Sequence, residues 1–183
     1  MSAGKGTGSW ETADINSDHV KFVRPYLKTN LPNLFPEFES GGYDIVSAKM
    51  QIVSGYQLLL DIKSEKSSFI IQVLLHVNIT KKISFRSFEV PDGAEPVPNG
   101  YEWQDHTKFT PADLSHAIGL IQAKSNIPIE PSGKVLVYRT IVENGLNKTH
   151  IIFRDGMASL FSAVLTKNSA NNKEEMESFH QIN

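Results

Sequence analysis

The sequence predicts an α+β fold in which one helix is followed by an antiparallel sheet. Two observations support this prediction. A stretch with apolar residues at helical spacing precedes several stretches in which apolar and polar residues alternate, as they do in half-buried strands. The same order of helix, strand, hairpin tip and strands recurs in the second half of the chain. We therefore expect two tandem domains of one plan.

The composition is that of an ordinary globular chain, with 40% hydrophobic and 21% charged residues among 183. A net charge of −2 gives no reason to expect nucleic acid or a membrane surface as a partner. No apolar run has the length of a membrane span, and the first residues lack the core of a signal peptide. We expect a cytoplasmic protein, or a secreted one only if a signal peptide has been removed.

The first helix is predicted to follow a flexible N-terminal segment, residues 1–16, which is rich in Gly, Ser and Thr. Asn16, Ser17 and Asp18 are candidates for its cap. The apolar residues at helical spacing are Val20, Val23, Leu27, Leu31 and Leu34. Because Pro25 and Pro32 lie inside this stretch and each removes a backbone donor, we expect a kink or an early end.

The stretch Gln51-Ile52-Val53-Ser54-Gly55 lies between two alternating runs and is predicted to form a hairpin tip. Hairpin tips are normally polar, because a turn projects into water. An apolar tip indicates a surface that a partner covers. A further strand over residues 69–77, a second tip at residues 78–82 and a last strand with a bulge near Ser87 complete the first domain, residues 17–91.

The second half begins after a segment rich in Pro and Gly, residues 92–108, which is predicted to be a linker. Thr110-Pro111-Ala112-Asp113 is a helix-capping arrangement that opens the second domain, residues 109–167. Alternating stretches on either side of the turn Glu143-Asn144-Gly145 predict its strands. Residues 168–183 have little to bury and are predicted to be a disordered tail or a short loose helix.

Catalytic and metal-binding patterns are absent from the sequence. Cysteine does not occur, the six histidines are scattered, and no strained Gly-x-Ser-x-Gly turn is present. Gly4-Lys5-Gly6-Thr7-Gly8 resembles a phosphate loop only superficially, because no strand precedes it and no helix follows directly. We therefore predict a binding protein with no catalytic residues, no cofactor and no metal, and not an enzyme.

The spacing Gln51-x-Val53-x-Gly55 resembles the first binding hairpin of the cystatins, inhibitors of papain-like cysteine proteases. The resemblance extends from about residue 8 to Val90, and Val23-Arg24-Pro25 and the lack of cysteine are similar to the stefin branch. It implies a cystatin-like fold, with an antiparallel sheet wrapped on one helix, in two tandem copies. It also implies a reversible competitive inhibitor that inserts a wedge into the active-site cleft of a papain-like cysteine protease.

By the same resemblance, three segments form the protease-binding wedge. They are the trunk residues Gly8, Ser9 and Trp10, the hairpin residues Gln51, Ile52, Val53, Ser54 and Gly55, and the second-tip residues Val77, Asn78 and Ile79. Gly6 is a competing choice for the trunk glycine. The second tip departs from the family, which has Leu-Pro or Pro-Trp there.

Each hairpin residue has an expected part in binding. Ile52 and Val53 would make apolar contacts that exclude water, and Gln51 would form hydrogen bonds. Gly55 would allow a close backbone approach or a positive φ. On this interpretation Gly55→Glu abolishes inhibition and leaves the melting temperature nearly unchanged.

Two alternatives stay open. Two cystatin-like units in one disulfide-free chain resemble the plan of latexin, a metallocarboxypeptidase inhibitor, and a non-inhibitory interaction module would keep the fold without the wedge. The second copy is expected not to inhibit, because its tip lacks the Gln and carries Glu143. We expect a monomer or a domain-swapped dimer. Asn78 and Asn147 begin glycosylation sequons, and a glycan on Asn78 would obstruct docking.

Overall fold

The computed structural model describes residues 8–39 and 41–183. The chain divides into two units: unit 1 is Met1–Pro32 with Pro36–Glu95, and unit 2 is Asn33–Phe35 with Pro96–Asn183. Each unit has a five-stranded antiparallel sheet, and the described chain contains two α-helices. The predicted α+β class is confirmed. The division after Glu95 falls inside the segment predicted as a linker, 92–108.

Unit 1 begins with a short strand and a helix. Its elements in chain order are β1 (Trp10–Thr12), α1 (Asp18–Leu34), a 3₁₀ turn (Pro36–Phe38), β2 (Tyr43–Val53), β3 (Gly55–Ser64), β4 (Ile70–Val77) and β5 (Ile83–Glu89). The last two residues of α1, Asn33 and Leu34, belong to unit 2. The strands lie side by side in chain order, and every neighbouring pair is antiparallel. The hairpins predicted around residue 54 and residue 80 therefore connect neighbouring strands.

Helix α1 continues through Pro25 and Pro32 to Leu34, so the early end that the prolines predicted is wrong. A proline inside a helix costs about 3 kcal/mol. Burial of one large apolar side chain contributes about 1.5–3 kcal/mol, and the whole predicted stripe is buried: Val20, Val23, Leu27, Leu31 and Leu34. The buried stripe outweighs the two prolines. In addition, the Tyr43 hydroxyl donates a hydrogen bond to the carbonyl of Arg24, directly before Pro25, at 3.1 Å.

The apolar faces of β3 and β4 form the centre of the unit 1 core. Directly opposite residues on the two strands are Leu58 with Leu75, Leu60 with Val73 and Ile62 with Ile71, and all six are buried. The alternation in the sequence located this face correctly. The bulge predicted near Ser87 is also confirmed, because the register of β5 against β4 shifts between Phe85 and Ser87.

Unit 2 repeats the order of short strand, helix and four strands. Its elements are β6 (Glu102–Trp103), a 3₁₀ turn (His106–Lys108), α2 (Pro111–Gln122), β7 (Gly133–Glu143), β8 (Leu146–Asp155), β9 (Leu160–Asn168) and β10 (Glu174–Ile182). The strands again lie side by side in chain order. The predicted cap of α2 is present: Thr110 and Asp113 exchange backbone and side-chain hydrogen bonds at 2.9 and 3.1 Å.

Two segments that were predicted to lack structure contain strands. Strand β6 lies within the predicted linker 92–108, and β10 lies within the predicted tail 168–183. Strand β10 pairs with β9 over its length, and its Met176 and Phe179 pack against the core of unit 2. Glu175 and Glu177 of this strand are exposed, whereas Glu174 is half-buried and contacts His116 of α2. The polar composition therefore concealed a strand whose Met176 and Phe179 pack on the core.

The contribution of β10 can be measured at Phe179, whose ring stacks on Phe161 with the centroids 5.5 Å apart. Because Phe179 is only partly buried, we expect Phe179→Ala to lower the free energy of unfolding by about 1.5 kcal/mol, roughly half the loss for a fully buried Phe. Gln181→Ala, an exposed position on the same strand, should change it by less than about 0.5 kcal/mol. Urea unfolding tests both. Equal effects of the two variants would show that β10 is not packed.

Neither helix in the described ranges is long and apolar enough to cross a membrane. Within the same ranges, no group of three or more His, Asp or Glu side chains is placed to hold a metal ion.

Candidate functional site

One end of the unit 1 sheet gathers all three segments that were predicted to bind. The register places Trp10 opposite Gln51, Val53 opposite Gly55, and Tyr56 opposite Val77. The trunk, the first hairpin tip and the second tip are therefore neighbours at one end of the sheet. We call the surface formed there by residues 8–10, 51–55 and 77–82 the tip surface.

The trunk is held to the first hairpin by two hydrogen bonds. The backbone N–H of Gly8 donates to the carbonyl of Ile52 at 3.1 Å, and the side-chain amide of Gln51 donates to the carbonyl of Gly8. Strand β1 then continues the pairing with β2. The prediction of a flexible segment over residues 1–16 is therefore wrong for Gly8 to Thr12, because this part of the chain is hydrogen-bonded to β2. Its earlier part, including Gly6, lies outside the described residues.

Gln51 consequently has a contact that its predicted role did not include. A protease was expected to receive its hydrogen bonds, whereas one amide N–H is directed at the chain's own Gly8. The side chain thereby fixes the trunk beside the hairpin, and Ser9 and Trp10 follow from that point. Gln51 therefore holds one segment of the tip surface, the trunk, against another, the first hairpin.

Three large apolar side chains of the tip surface are exposed. The exposed fraction is 40% for Trp10, 47% for Ile52 and 76% for Ile79, whereas Val53 is half-buried. Val77, also predicted as a binding residue, is fully buried. The alternation of β4 turns Val77 to the same face as Tyr56, which is buried as well. Its side chain is therefore part of the core and not of the surface.

Gly55 is required by the fold. Its φ is +84°, and a Cβ built on it would lie 2.0 Å from the backbone oxygen of Val77. Both expectations for this residue, a positive φ and a close backbone approach, are met, but the approach is to its own chain. The prediction that Gly55→Glu leaves the melting temperature nearly unchanged is therefore wrong, because any side chain here collides with β4.

The second tip is organised by Asn78. Its side-chain oxygen accepts hydrogen bonds from the Thr80 N–H at 3.0 Å, the Thr80 hydroxyl at 2.8 Å and the Lys82 N–H at 2.8 Å. The turn thus has an internal scaffold. Ile79 lies at its apex and projects into solvent. Asn78 was predicted to bind a partner, and the structure gives it a role in shaping the turn.

His76 was not predicted as a site residue, yet it links the two tips. Its Nε2 donates to the carbonyl of Ser54 at 2.9 Å, and its Nδ1 accepts from Arg86 at 3.1 Å. Because Nδ1 accepts a hydrogen bond from Arg86, the ring N–H is assigned to Nε2, which donates to the carbonyl of Ser54. The sequence placed His76 on the polar face of a strand but contained no signal for this cross-strand contact.

Unit 2 contains a buried polar cluster of a different kind. Arg139 donates to Nδ1 of His150 from two guanidinium nitrogens, at 3.0 and 2.7 Å. Nε2 of His150 donates to the Ser162 hydroxyl at 3.1 Å, which in turn donates to the carbonyl of Leu34 at 2.9 Å. All three side chains are buried. A serine beside a histidine here has no access to a substrate, so the cluster is structural.

Aromatic rings surround the guanidinium of this cluster. The distances from the central carbon of Arg139 to the ring centroids are 4.6 Å for Tyr101, 5.1 Å for Phe35 and 5.4 Å for Trp103. Such contacts stabilise a cation that has lost water. Burial, and secondly the charge of Arg139, hold the pKa of His150 well below its ordinary value of 6.5. His150 is therefore neutral at physiological pH.

A scan against models of protein families found no match to the chain, and a search of curated proteins also found none.

Proposed function

We propose that unit 1 is a cystatin-like, reversible competitive inhibitor of papain-like cysteine proteases that acts through the tip surface. The observation that carries the proposal is that three separate segments lie side by side at one end of the sheet, where Trp10, Ile52 and Ile79 are exposed. The resemblance of Gln51-x-Val53-x-Gly55 to the first cystatin hairpin supplies the target class. In this proposal the tip surface is the wedge that enters the active-site cleft of the protease.

The tip surface has the physical properties of a preformed interface. Its exposed apolar side chains would be removed from water in a cleft, and anchors of this type contribute most of the energy of protein interfaces. The hydrogen bonds from Gln51 to Gly8 and from His76 to Ser54 order the segments before binding, which reduces the entropy lost on association. No peptide carbonyl needs to reach the protease nucleophile, so the inhibitor is not cleaved.

Titration of active papain with the full chain tests the proposal directly. We expect competitive inhibition at sub-micromolar concentrations, with full recovery of activity on dilution. Carboxypeptidase A is the control enzyme. Absence of papain inhibition at tens of micromolar would reject the proposal.

The matched pair Ile52→Asp and Val142→Asp separates the tip surface from a general effect of charge. Both residues stand one position before the last residue of the strand that enters a hairpin, in β2 and β7 respectively. Both are exposed, at 47% and 73%. We expect Ile52→Asp to raise the inhibition constant for papain about 20-fold, because it places a charge in a dry contact. Val142→Asp should leave the constant unchanged.

Stability measurements accompany these inhibition assays. Both variants should unfold within about 0.5 kcal/mol of the parent, as exposed substitutions do. If Val142→Asp weakens inhibition as much as Ile52→Asp, the tip surface of unit 1 is not the binding site.

The repeated order of elements in unit 2 favours one alternative. Two units of the same strand order in one chain without cysteine correspond to the latexin-like plan, and on that interpretation the target is a metallocarboxypeptidase. Inhibition of carboxypeptidase A, but not of papain, would select it. A chain that inhibits neither enzyme would be an interaction module. Monomeric or domain-swapped association and a cytoplasmic location stay predictions.

A further inference from the structure

Four cationic side chains lie in or beside the tip surface. Lys49 precedes Gln51 on β2, Lys81 and Lys82 belong to the second tip, and Arg86 lies on β5, and all four are exposed. We call them the basic rim. In the three strand segments beside them, residues 8–12, 49–57 and 76–86, Glu11 is the one acidic residue. The nearby segment 13–21 adds Asp14, Asp18 and Lys21, so this end carries five cationic and three acidic side chains. This end is cationic, although the whole chain has a net charge of −2.

The basic rim has no acidic partner within the described residues. No ion pair there involves any of its four members. Lys81 lies over the ring of Phe22, 5.7 Å from its centroid, and Arg86 donates a hydrogen bond to Nδ1 of His76. Cations gathered without acids repel one another, which costs free energy in the unbound protein.

The corresponding end of unit 2 is built differently. There Lys148 pairs with Glu143 at 3.2 Å and with Glu177 at 2.8 Å, and the hydrogen bond to Glu177 raises the pKa of Lys148. The turn between β9 and β10 carries two more ion pairs, Lys167 with Glu174 at 3.9 Å and Lys173 with Glu175 at 2.9 Å. Among the described residues, the charges at this end are therefore paired within unit 2, whereas the four cations of the basic rim in unit 1 form no ion pair.

We propose that the basic rim is an electrostatic docking element and that the partner of the tip surface is a papain-like protease with an acidic rim around its cleft. This proposal rests on the proposed inhibitory function, and it adds which papain-like proteases the inhibitor binds fastest. The apolar side chains supply contact once the wedge is seated, and the basic rim selects and orients the partner beforehand. Complementary charges at the edge of an interface act mainly on the association rate.

Stopped-flow measurement of association with two papain-like proteases, one with an acidic and one with a basic cleft rim, tests this inference. We expect the association rate constant for the acidic enzyme to fall about tenfold between roughly 20 and 300 mM NaCl, because salt screens exposed charges. The dissociation rate constant should change little. For the basic enzyme, association should be slower at low salt and should rise with salt.

Charge reversal identifies the responsible residues. Lys81→Glu with Lys82→Glu should lower the association rate constant for the acidic enzyme about tenfold at low salt. Lys63→Glu with Lys66→Glu makes the same change in net charge at the opposite end of the unit 1 sheet, where both residues are exposed. That control should alter the rate constant less than about twofold.

Each other outcome overturns the inference in a distinguishable way. If both enzymes are inhibited and the association rate constants do not depend on salt or on charge reversal, the docking role of the basic rim is rejected and the inhibitory function is retained. No inhibition of either enzyme would reject the inhibitor, and the basic rim with it. Binding of a heparin fragment that requires Lys81 and Lys82, with protease association unaffected by them, would assign the basic rim to polyanions.

Discussion

Replacing Gly55 by Ala is expected to lower the free energy of unfolding by about 3 kcal/mol. Two costs add at this position. A left-handed backbone with φ of +84° is unfavourable for an L-residue by roughly 1 kcal/mol. The added Cβ would also lie 2.0 Å from the oxygen of Val77, and backbone in a paired strand can retreat only by straining the sheet.

Gly145 provides the control for this prediction. It occupies the hairpin tip of unit 2 with a φ of +76°, but a Cβ there would meet no atom within 4 Å. Gly145→Ala should therefore cost about 1 kcal/mol, the backbone part alone. Urea unfolding gives the two losses, and hydrogen exchange assigns each to its unit. Equal losses would contradict the clash with Val77.

The behaviour of Gly55 bears on the proposed function. A glycine that the fold itself requires is explained without any partner, so its presence in the hairpin is no sign of binding. Substitution of Gly55 would remove inhibition by distorting the hairpin and would not locate the interface. Ile52 and Ile79 are better positions for that purpose, because their side chains are exposed.

The sequence predicted those elements whose apolar residues repeat with a clear period. The stripe of α1, the faces of β3 and β4 and the cap at Thr110 are all as expected, because local pattern and burial agree there. It failed for β6 and β10. Strand β6 is short, and the sequence of β10 is rich in glutamate. Their strand structure comes from pairing with β7 and β9, which is tertiary information.

The sequence predicted three binding segments that the sheet brings together, but it did not predict the contacts that the individual residues make within the chain. The resemblance named three segments, and the register of the sheet brings them together. The resemblance did not distinguish residues that are exposed for binding from residues that hold the tips in place. Val77 is core, Asn78 shapes a turn and Gln51 holds the trunk, whereas His76 supports the tip without having been named. Such assignments depend on which face of a strand meets the helix and on distances between atoms far apart in sequence.

Acidification to about pH 5 is expected to lower the free energy of unfolding through His150 alone, by at most about 2 kcal/mol. The folded protein holds this side chain neutral, with its pKa well below 6.5, chiefly because it is buried and secondly because Arg139 is charged. In the unfolded chain the pKa returns to about 6.5. Below that pH the unfolded state binds a proton that the folded state does not, so stability is complete above pH 6.5 and is lost as the pH falls toward the folded pKa.

His150→Gln isolates this contribution. Glutamine can accept a hydrogen bond from Arg139 and donate one to Ser162, but it does not titrate. Although the substitution should destabilise the protein at neutral pH, because Gln does not fill the space of the ring, its stability should fall less than that of the parent between about pH 7 and pH 5. The expected difference between the two falls is at most about 2 kcal/mol, measured by urea unfolding at each pH. Parallel curves would mean that His150 takes up a proton in the folded state, which its burial against a guanidinium and the rings of Phe35 and Tyr101 opposes.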